Sequence, residues 1–516
     1  MTRIHLRPGK HLAVTWGIAD QFGGMTGALL HRSRAFVTLG GVDVDVVTFD
    51  LRPDYPAVEE RLRASGGLID GMRLVNLWDW LCTWQPAADA QAAAAGRAAF
   101  TPLAADPSFT SSPASGRERT RTRFAEDGTT VLQVDHYRAD GSLAVSDRRD
   151  VRRSGISGGR SIVWCDSDGV PRHRWKRAHA LYIWWLDRLR ENTQTTLIVD
   201  SKTSARFLLG YRRRGMLTFH VVHASHLQSR DPLQVRQSRA EVFSTPRAFD
   251  RLVFLTERQR SDARMILAPD TGTAVIPNAR DVSPTDAAPA VAPRKSGRGI
   301  VLASLEKRKR VDHAVRAVAA AQTAVSLDIF GDGPERARVE RAAAGAPDVT
   351  LHGYRSDASE HLATSSFLLL TSRSEGLPLV LVESMANGCI PIAYDIPYGP
   401  ADIIRSGHNG FLIPAGDVTA LTAAIDALVD LPADQVARLR RNAARTAARF
   451  TDEAVTARWA REIDRAAMQR GFLPAAPARA LAFRLRRGIA RRVRRLRESR
   501  HRQPATIDRH QTGTSM

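Results

Sequence analysis

The stretch SEGLPLVLVESMANG, residues 374–388, carries two carboxylates, Glu375 and Glu383, eight positions apart. Carboxylates of this kind can accept hydrogen bonds from the hydroxyls of a ligand. Pro378 suits a first helical position and Gly388 a helix stop. Glu375 therefore belongs to the loop ahead of a helix, and Glu383 lies about a turn and a half inside it. The free N–H groups at such a helix start form a site for phosphate. Spacing alone does not separate this reading from two stray carboxylates on a core helix.

Other residues could join such chemistry. EKRKRVD, residues 306–312, concentrates cations around Lys309, either as a solvated basic loop or as a grip on a phosphate. FHVVHASH holds His220, His223 and His226, which could be core, loop or cleft histidines. No spaced carboxylate or cysteine makes a metal site of them. Gly23 and Gly24, in FGGMTG, either make a turn or admit a close backbone approach to a ligand. The DSD of residues 166–168 imitates a metal motif, but it sits in an Asx-Gly turn and is read as turn chemistry.

The elements that must position these residues alternate between strand and helix. LAVTWGIAD, a Gly-containing turn and helix, and VDVDVVTFD begin an α/β layer. ADAQAAAAGRAAF, near residue 90, reads as helix or linker, and TPLAADPSFTSSPASG after it as loop. Between residues 121 and 174, β-prone runs are split by EDG, ADG and SDG, the mark of antiparallel hairpins. Alternation resumes through TLIVDS, LTFHVVHASH and RLVFLT. A polar stretch, 281–298, precedes a second α/β unit running from GIVLASL to a last helix capped by Thr451 or Asp452. SSFLLLTS has the unbroken apolar character of a buried parallel strand.

The totals bound the function. A chain of 516 residues makes about three domains. Three widely spaced cysteines, Cys82, Cys165 and Cys389, exclude a disulfide framework. No apolar run is long enough to span a bilayer and no signal peptide is read, so a cytoplasmic protein is expected. The net charge of +21 suits polyanions. Eleven arginines and one acid lie between Arg479 and Arg502. There Leu481, Leu485, Ile489, Val493 and Leu496 share one helical face. This pattern fits a basic amphipathic helix on an anionic membrane, or else a solvated or polyanion-binding arm.

The ordered set FGDGPE (330–335), LHGY (351–354), EKRKRVD, SEGLPLVLVESMANG and GHNGFLIPAGD (407–417) resembles the donor domain of glycosyltransferase family 4, retaining enzymes of the GT-B fold. The likeness covers residues 295–465. IPYGPADIIRSGHNGFLI resembles most the poly(glycerol-phosphate) α-glucosyltransferases of wall teichoic acid. FGGMTGALL, FHVVHASH and the β-rich insertion resemble that group's Gly loop, His motif and extra sheet.

The resemblance implies an α/β, GT-B chain with two Rossmann-like domains facing across a cleft. Residues 1–120 and 175–285 would form the acceptor-side domain, and 121–174 an insertion for oligomerisation or acceptor binding. Residues 295–455 would bind the nucleotide sugar, 456–470 form a closing helix, and 475–516 the basic tail. Glu375 would contact the donor sugar and Glu383 the ribose. Leu379 and Val380 would offer backbone N–H groups to the phosphates. Lys309 would neutralise the leaving diphosphate in place of a metal, and His223 would sit beside the transferred sugar. Gly23, Gly24, Gly353, Tyr354, Gly376 and Leu377 would line the donor site. Ser304 stands where the family usually has an arginine, so a second cation is either missing or supplied by Lys307, Arg308 or Arg310.

The implied reaction moves a hexose from UDP-glucose or UDP-GlcNAc to an anionic polyol-phosphate polymer, with no metal, no other cofactor and no nucleic-acid partner. The expected further partners are a second copy through the insertion and the inner membrane face through the tail. Protein O-glycosylation of the same family, or polymer or membrane binding as an assembly factor by a weakly catalytic homologue, are the alternatives.

Overall fold

The computed structural model describes residues 4–52, 54–85, 110–114, 117–153, 156–228, 231, 233–280 and 297–471. The expectations for residue 90 and its surroundings, and for the basic tail at 475–516, lie outside the described residues.

The first half begins with β1 (Lys10–Val14), β2 (Val44–Thr48) and β3 (Met72–Asn76). An excursion of six antiparallel strands follows: β4 (Thr110–Ala114), β5 (Arg117–Phe124), β6 (Val131–Tyr137), β7 (Leu143–Arg153), β8 (Ile156–Cys165) and β9 (Pro171–Trp175). The chain then returns with β10 (Thr195–Val199), β11 (Met216–Val222), β12 (Arg251–Phe254) and β13 (Thr273–Val275). These complete a seven-stranded parallel sheet in the order β13-β12-β11-β10-β1-β2-β3. β1 pairs with β10 although the excursion separates them, and every residue of the pair but Lys10 is buried, as in the centre of a parallel sheet.

The second half is a six-stranded parallel sheet, β14 (Arg298–Leu302), β15 (Ser326–Phe330), β16 (Val349–Gly353), β17 (Phe367–Leu370), β18 (Ile390–Asp395) and β19 (Phe411–Pro414). Its order is β16-β15-β14-β17-β18-β19, so the chain reverses direction across the sheet between β14 and β17. Loops at such a reversal open a crevice beyond the carboxyl ends of the strands. The cation loop follows β14, and the loop carrying Glu375 follows β17.

The EDG, ADG and SDG turns each place their glycine, Gly128, Gly141 and Gly169, at positive φ, as hairpins of this kind require. Asp166 accepts from the backbone N–H groups of Asp168 and Val170 (3.1 and 2.9 Å) and pairs with Arg172. It is a turn residue. The stretch expected as loop before residue 121 is corrected: it contributes β4, and the antiparallel sheet begins at Thr110. β4 is a short edge strand with a register shift at Pro113, where a proline is tolerated. Its Ser, Thr and Pro content hid it from an apolar pattern.

The closing helix, Asp452–Arg470, begins where Thr451 Oγ1 accepts from the Ala454 N–H. It packs back on the first half. Trp459 meets Phe36 and Phe219 edge-on, and the buried Arg251 pairs with Glu462.

Candidate functional site

The cation loop after β14 is held from both sides. FGDGPE turns against it: Leu305 N–H donates to the Asp332 carbonyl (2.9 Å) and Glu335 N–H to that of Leu305 (2.8 Å). Gly331, at φ +144°, lies so close that a Cβ would stand 1.8 Å from the Ala303 carbonyl oxygen. From the other side, Thr371 Oγ1 donates to the carbonyls of Lys309 and Arg310 (3.0 and 2.9 Å), and Arg373 N–H to that of Arg308 (2.8 Å). The backbone is thereby fixed, and the side chains of Arg308 and Lys309 turn toward one carboxylate.

That carboxylate is Glu375, with its side chain only 11% exposed. Lys309 Nζ lies 2.7 Å and Arg308 Nη1 2.8 Å from its Oε1, and Ser372 Oγ donates to the same atom at 2.7 Å. Every hydrogen bond to the side chain falls on Oε1, which leaves Oε2 without a partner among the described residues. Burial pushes this carboxyl up, but Lys309 and Arg308 outweigh it and hold it below the ordinary range. Two cations thus face Glu375. Ser304 Oγ donates to Glu306 (3.1 Å), and Glu306 also lies near Arg308 (3.5 Å).

The helix that follows runs Leu379–Ala386, with Pro378 at its cap. Its first N–H groups, on Leu379 and Val380, have no acceptor inside the helix. Glu383 stands further along and pairs with Arg280 at 2.8 Å. Burial raises its carboxyl above the usual range, and Arg280 offsets only part of that. Gly353 ends β16 at φ +72°, and Tyr354 beyond it is 80% exposed, an aromatic face open at the strand's carboxyl end. Leu377 is buried in the core that both sheets share.

The opposite wall comes from the first sheet. Gly23 caps the helix Gly24–Thr38, and a Cβ on Gly23 or Gly24 would meet nothing within 4 Å. His223 follows β11, and its Nε2 lies 2.7 Å from Oδ1 of Asp200, the residue after β10. Asp200 is fully buried and takes a bidentate pair from Arg32 (2.9 and 2.7 Å). Burial alone would raise the Asp200 carboxyl; Arg32 and His223 reverse that and hold it well below the usual range.

The other two histidines are core residues. His220 bonds the Val199 carbonyl and is pushed down to about 3, chiefly by burial. His226 stacks on Tyr398 at 5.7 Å and is pushed down to about 4 by burial. Tyr398 in turn donates to Asp262 (2.8 Å), tying the second half to the first. The walls meet at Gly376, where a Cβ would stand 1.8 Å from the His223 carbonyl oxygen. Glu375, Lys309, Gly376 and His223 therefore converge, and Glu383 lies on the helix that follows. Among the described residues no three His, Cys, Asp or Glu side chains form a metal cluster.

Residues 286–446 match the family model described as glycosyl transferases group 1. This segment is similar to the domain of that family. It holds Lys309, Glu375 and Glu383. The poly(glycerol-phosphate) alpha-glucosyltransferase of Bacillus subtilis is 25% identical over 277 residues, 52% of this chain and 41% of the relative. The chain thus spans under half the length of that relative. The poly(ribitol-phosphate) alpha-N-acetylglucosaminyltransferase of Staphylococcus aureus is 21% identical over 502 residues, 85% of this chain and 96% of the relative. Among solved structures, a chain of the GtfA/B complex superposes with a TM-score of 0.68 at 18% identity, covering 89% of this chain and 99% of its own. The fold is GT-B, with the group 1-like domain as its second half.

Four residues that the geometry brings to the group 1 site or its opposite wall were not singled out by motif: Asp200, Arg32, Arg280 and Ser372. Asp200 ends an apolar strand with a carboxylate, which is a signal in retrospect. Its pairing with Arg32, 168 positions away, has none.

Proposed function

We propose that the chain is a retaining glycosyltransferase that moves a hexose from a nucleotide sugar, UDP-glucose or UDP-GlcNAc, to a hydroxyl of an anionic polyol-phosphate polymer. The observation that carries this is the Glu375 carboxylate, bound at Oε1 by two cations and open at Oε2. The diphosphate lies against Lys309, Arg308 and the N–H groups of Leu379 and Val380. Arg308 takes the place of the cation absent at Ser304. Glu375 Oε2 faces the sugar and stabilises positive charge at its anomeric carbon. Glu383 receives the ribose hydroxyls, and Tyr354 flanks the base.

The leaving phosphate accepts the proton of the attacking hydroxyl, so no separate base is required and the product keeps the donor's anomeric configuration. Fixed cations supply the charge neutralisation that a metal supplies elsewhere, so the reaction needs no metal. The teichoic-acid acceptor rests on the poly(glycerol-phosphate) and poly(ribitol-phosphate) enzymes among the relatives and on the net charge of +21. The antiparallel sheet is the proposed surface for acceptor or for a second copy. The basic tail is the proposed contact with the membrane. Among the described residues no helix is long and apolar enough to cross a bilayer.

Incubation with each UDP-sugar and poly(glycerol phosphate) or poly(ribitol phosphate), with chelator present, tests this reading. α-Linked hexose on the polymer, seen by NMR, is the expected result. No transfer from any nucleotide sugar, with polymer still bound, would leave the assembly-factor alternative. A second reading, transfer to protein hydroxyls, is favoured by the GtfA relatives, named for peptide N-acetylglucosaminyl transfer, and the same assay with a serine-rich polypeptide decides it.

A further inference from the structure

The group 1 domain supplies the charges of the site, and the first half supplies a buried relay that none of those charges explains. Arg32, in the helix that starts at the open Gly23–Gly24 turn, grips both oxygens of Asp200. Asp200 Oδ1 also takes His223 Nε2 at 2.7 Å. The Asp200 N–H is tied to the Val14 carbonyl (2.9 Å), so the carboxylate is anchored at the carboxyl ends of β1 and β10. A carboxylate held by an arginine accepts hydrogen bonds and donates none. Nε2 must therefore carry the hydrogen. In the neutral ring Nδ1 is then a lone-pair acceptor, and it has no hydrogen-bond partner among the described residues. The residue's own carbonyl touches Gly376, next to Glu375. An imidazole used for packing alone needs neither a fixed tautomer nor a neutralised buried carboxylate behind it.

We infer that Asp200, backed by Arg32, is a positioning residue that fixes His223 with Nε2 protonated, so that Nδ1 accepts a hydrogen bond from a hydroxyl of the donor's sugar. This rests on the donor-site reading above. It gives the sugar a contact from the first half, beside that of Glu375 from the second.

Long-range ¹H–¹⁵N NMR of the full chain carrying ¹⁵N-histidine tests it, with UDP and with UDP-glucose or UDP-GlcNAc as probes. The expected spectrum shows the Nε2–H tautomer for His223, with an Nδ1 shift that moves on adding the sugar nucleotide but not UDP. Asp200→Asn, whose amide can donate to Nε2, is expected to invert the tautomer. It should lower kcat/KM for transfer about 10–100-fold, the size of effect that follows loss of the orienting partner of a metal-bound histidine, while UDP affinity stays within about twofold of wild type. An Nδ1–H tautomer in the wild type, equal shifts with UDP and UDP-sugar, or an inverted tautomer with unchanged transfer would each overturn the inference. If Asp200→Asn does not fold, the wild-type tautomer and titration decide alone. Absence of UDP binding by the wild type would instead mark the failure of the donor-site reading.

Discussion

Glu375 and Glu383 lie on one loop and helix, both largely buried, yet the structure pushes their carboxyls in opposite directions. Glu375 has two cations and a hydroxyl on one oxygen and is held below the ordinary range. Glu383 has one half-exposed arginine, and burial wins, so it is held above that range. Burial is common to both; the number and placement of cations decides the sign. The difference fits the roles proposed for them. A group that faces developing positive charge must stay ionised, and a group that binds ribose hydroxyls needs only acceptor atoms.

The comparison can be broken most severely at Glu375. Glu375→Gln keeps the shape and removes the charge, and is expected to lower kcat about 10²–10³-fold, the usual cost of one transition-state electrostatic contact. Glu383→Gln is expected to act mainly on KM for the nucleotide. Steady-state kinetics on both variants checks the split, and equal effects on kcat would remove the distinction.

Gly376 comes next. Gly376→Ala drives a methyl into the His223 carbonyl and displaces Glu375 from the opposite wall. A displacement of this kind costs about 10–100-fold in kcat/KM. It should also lower stability by about 1–3 kcal/mol, measured by denaturant melts.

The smallest effects concern pH. A lowered carboxyl stabilises the folded state above the ordinary carboxylate range and loses that contribution as pH falls through its native value. Glu375→Gln should therefore lower Tm at pH 7.5, by about 1–3 °C, with the gap closing in acid. A raised carboxyl does the reverse: its stabilising contribution is present below the ordinary range and is lost as pH rises through the native value. Glu383→Gln should therefore raise Tm at pH 7.5 by about 1–3 °C, and that gap also closes in acid. Shifts of the same sign in the two variants would contradict the electrostatic contrast.

How much of this was legible in the sequence differs between the walls. On the group 1 side the chemistry is local: Glu375, Glu383 and the helix start lie in one stretch, and Lys309 in a visible cation run. Strand alternation and the three Asx-Gly turns announced both parallel sheets and most of the antiparallel one. β4 escaped because its Ser, Thr and Pro residues carry no apolar period. The partner of Glu383 escaped because Arg280 reaches it across 103 positions, from the link between the halves. The Arg32–Asp200–His223 relay escaped because only the sheet order, with β10 between β1 and β11, brings its members together. The sequence left Lys307, Arg308 and Arg310 as alternatives for a second cation; in the structure Arg308 is the one paired with Glu375 beside Lys309.

The central claim is that Lys309 and Arg308, drawn together on Glu375, form the grip on a nucleotide diphosphate. Isothermal titration of UDP into the wild type and into Arg308→Ala, Lys309→Ala variants tests it most directly. Each charge-assisted phosphate contact contributes about 1.5–3 kcal/mol. Each single variant should therefore weaken UDP binding about 10–100-fold, while uridine, which lacks the diphosphate, binds wild type and variants alike. UDP affinity unchanged in both variants, or lost for uridine as much as for UDP, would contradict the account.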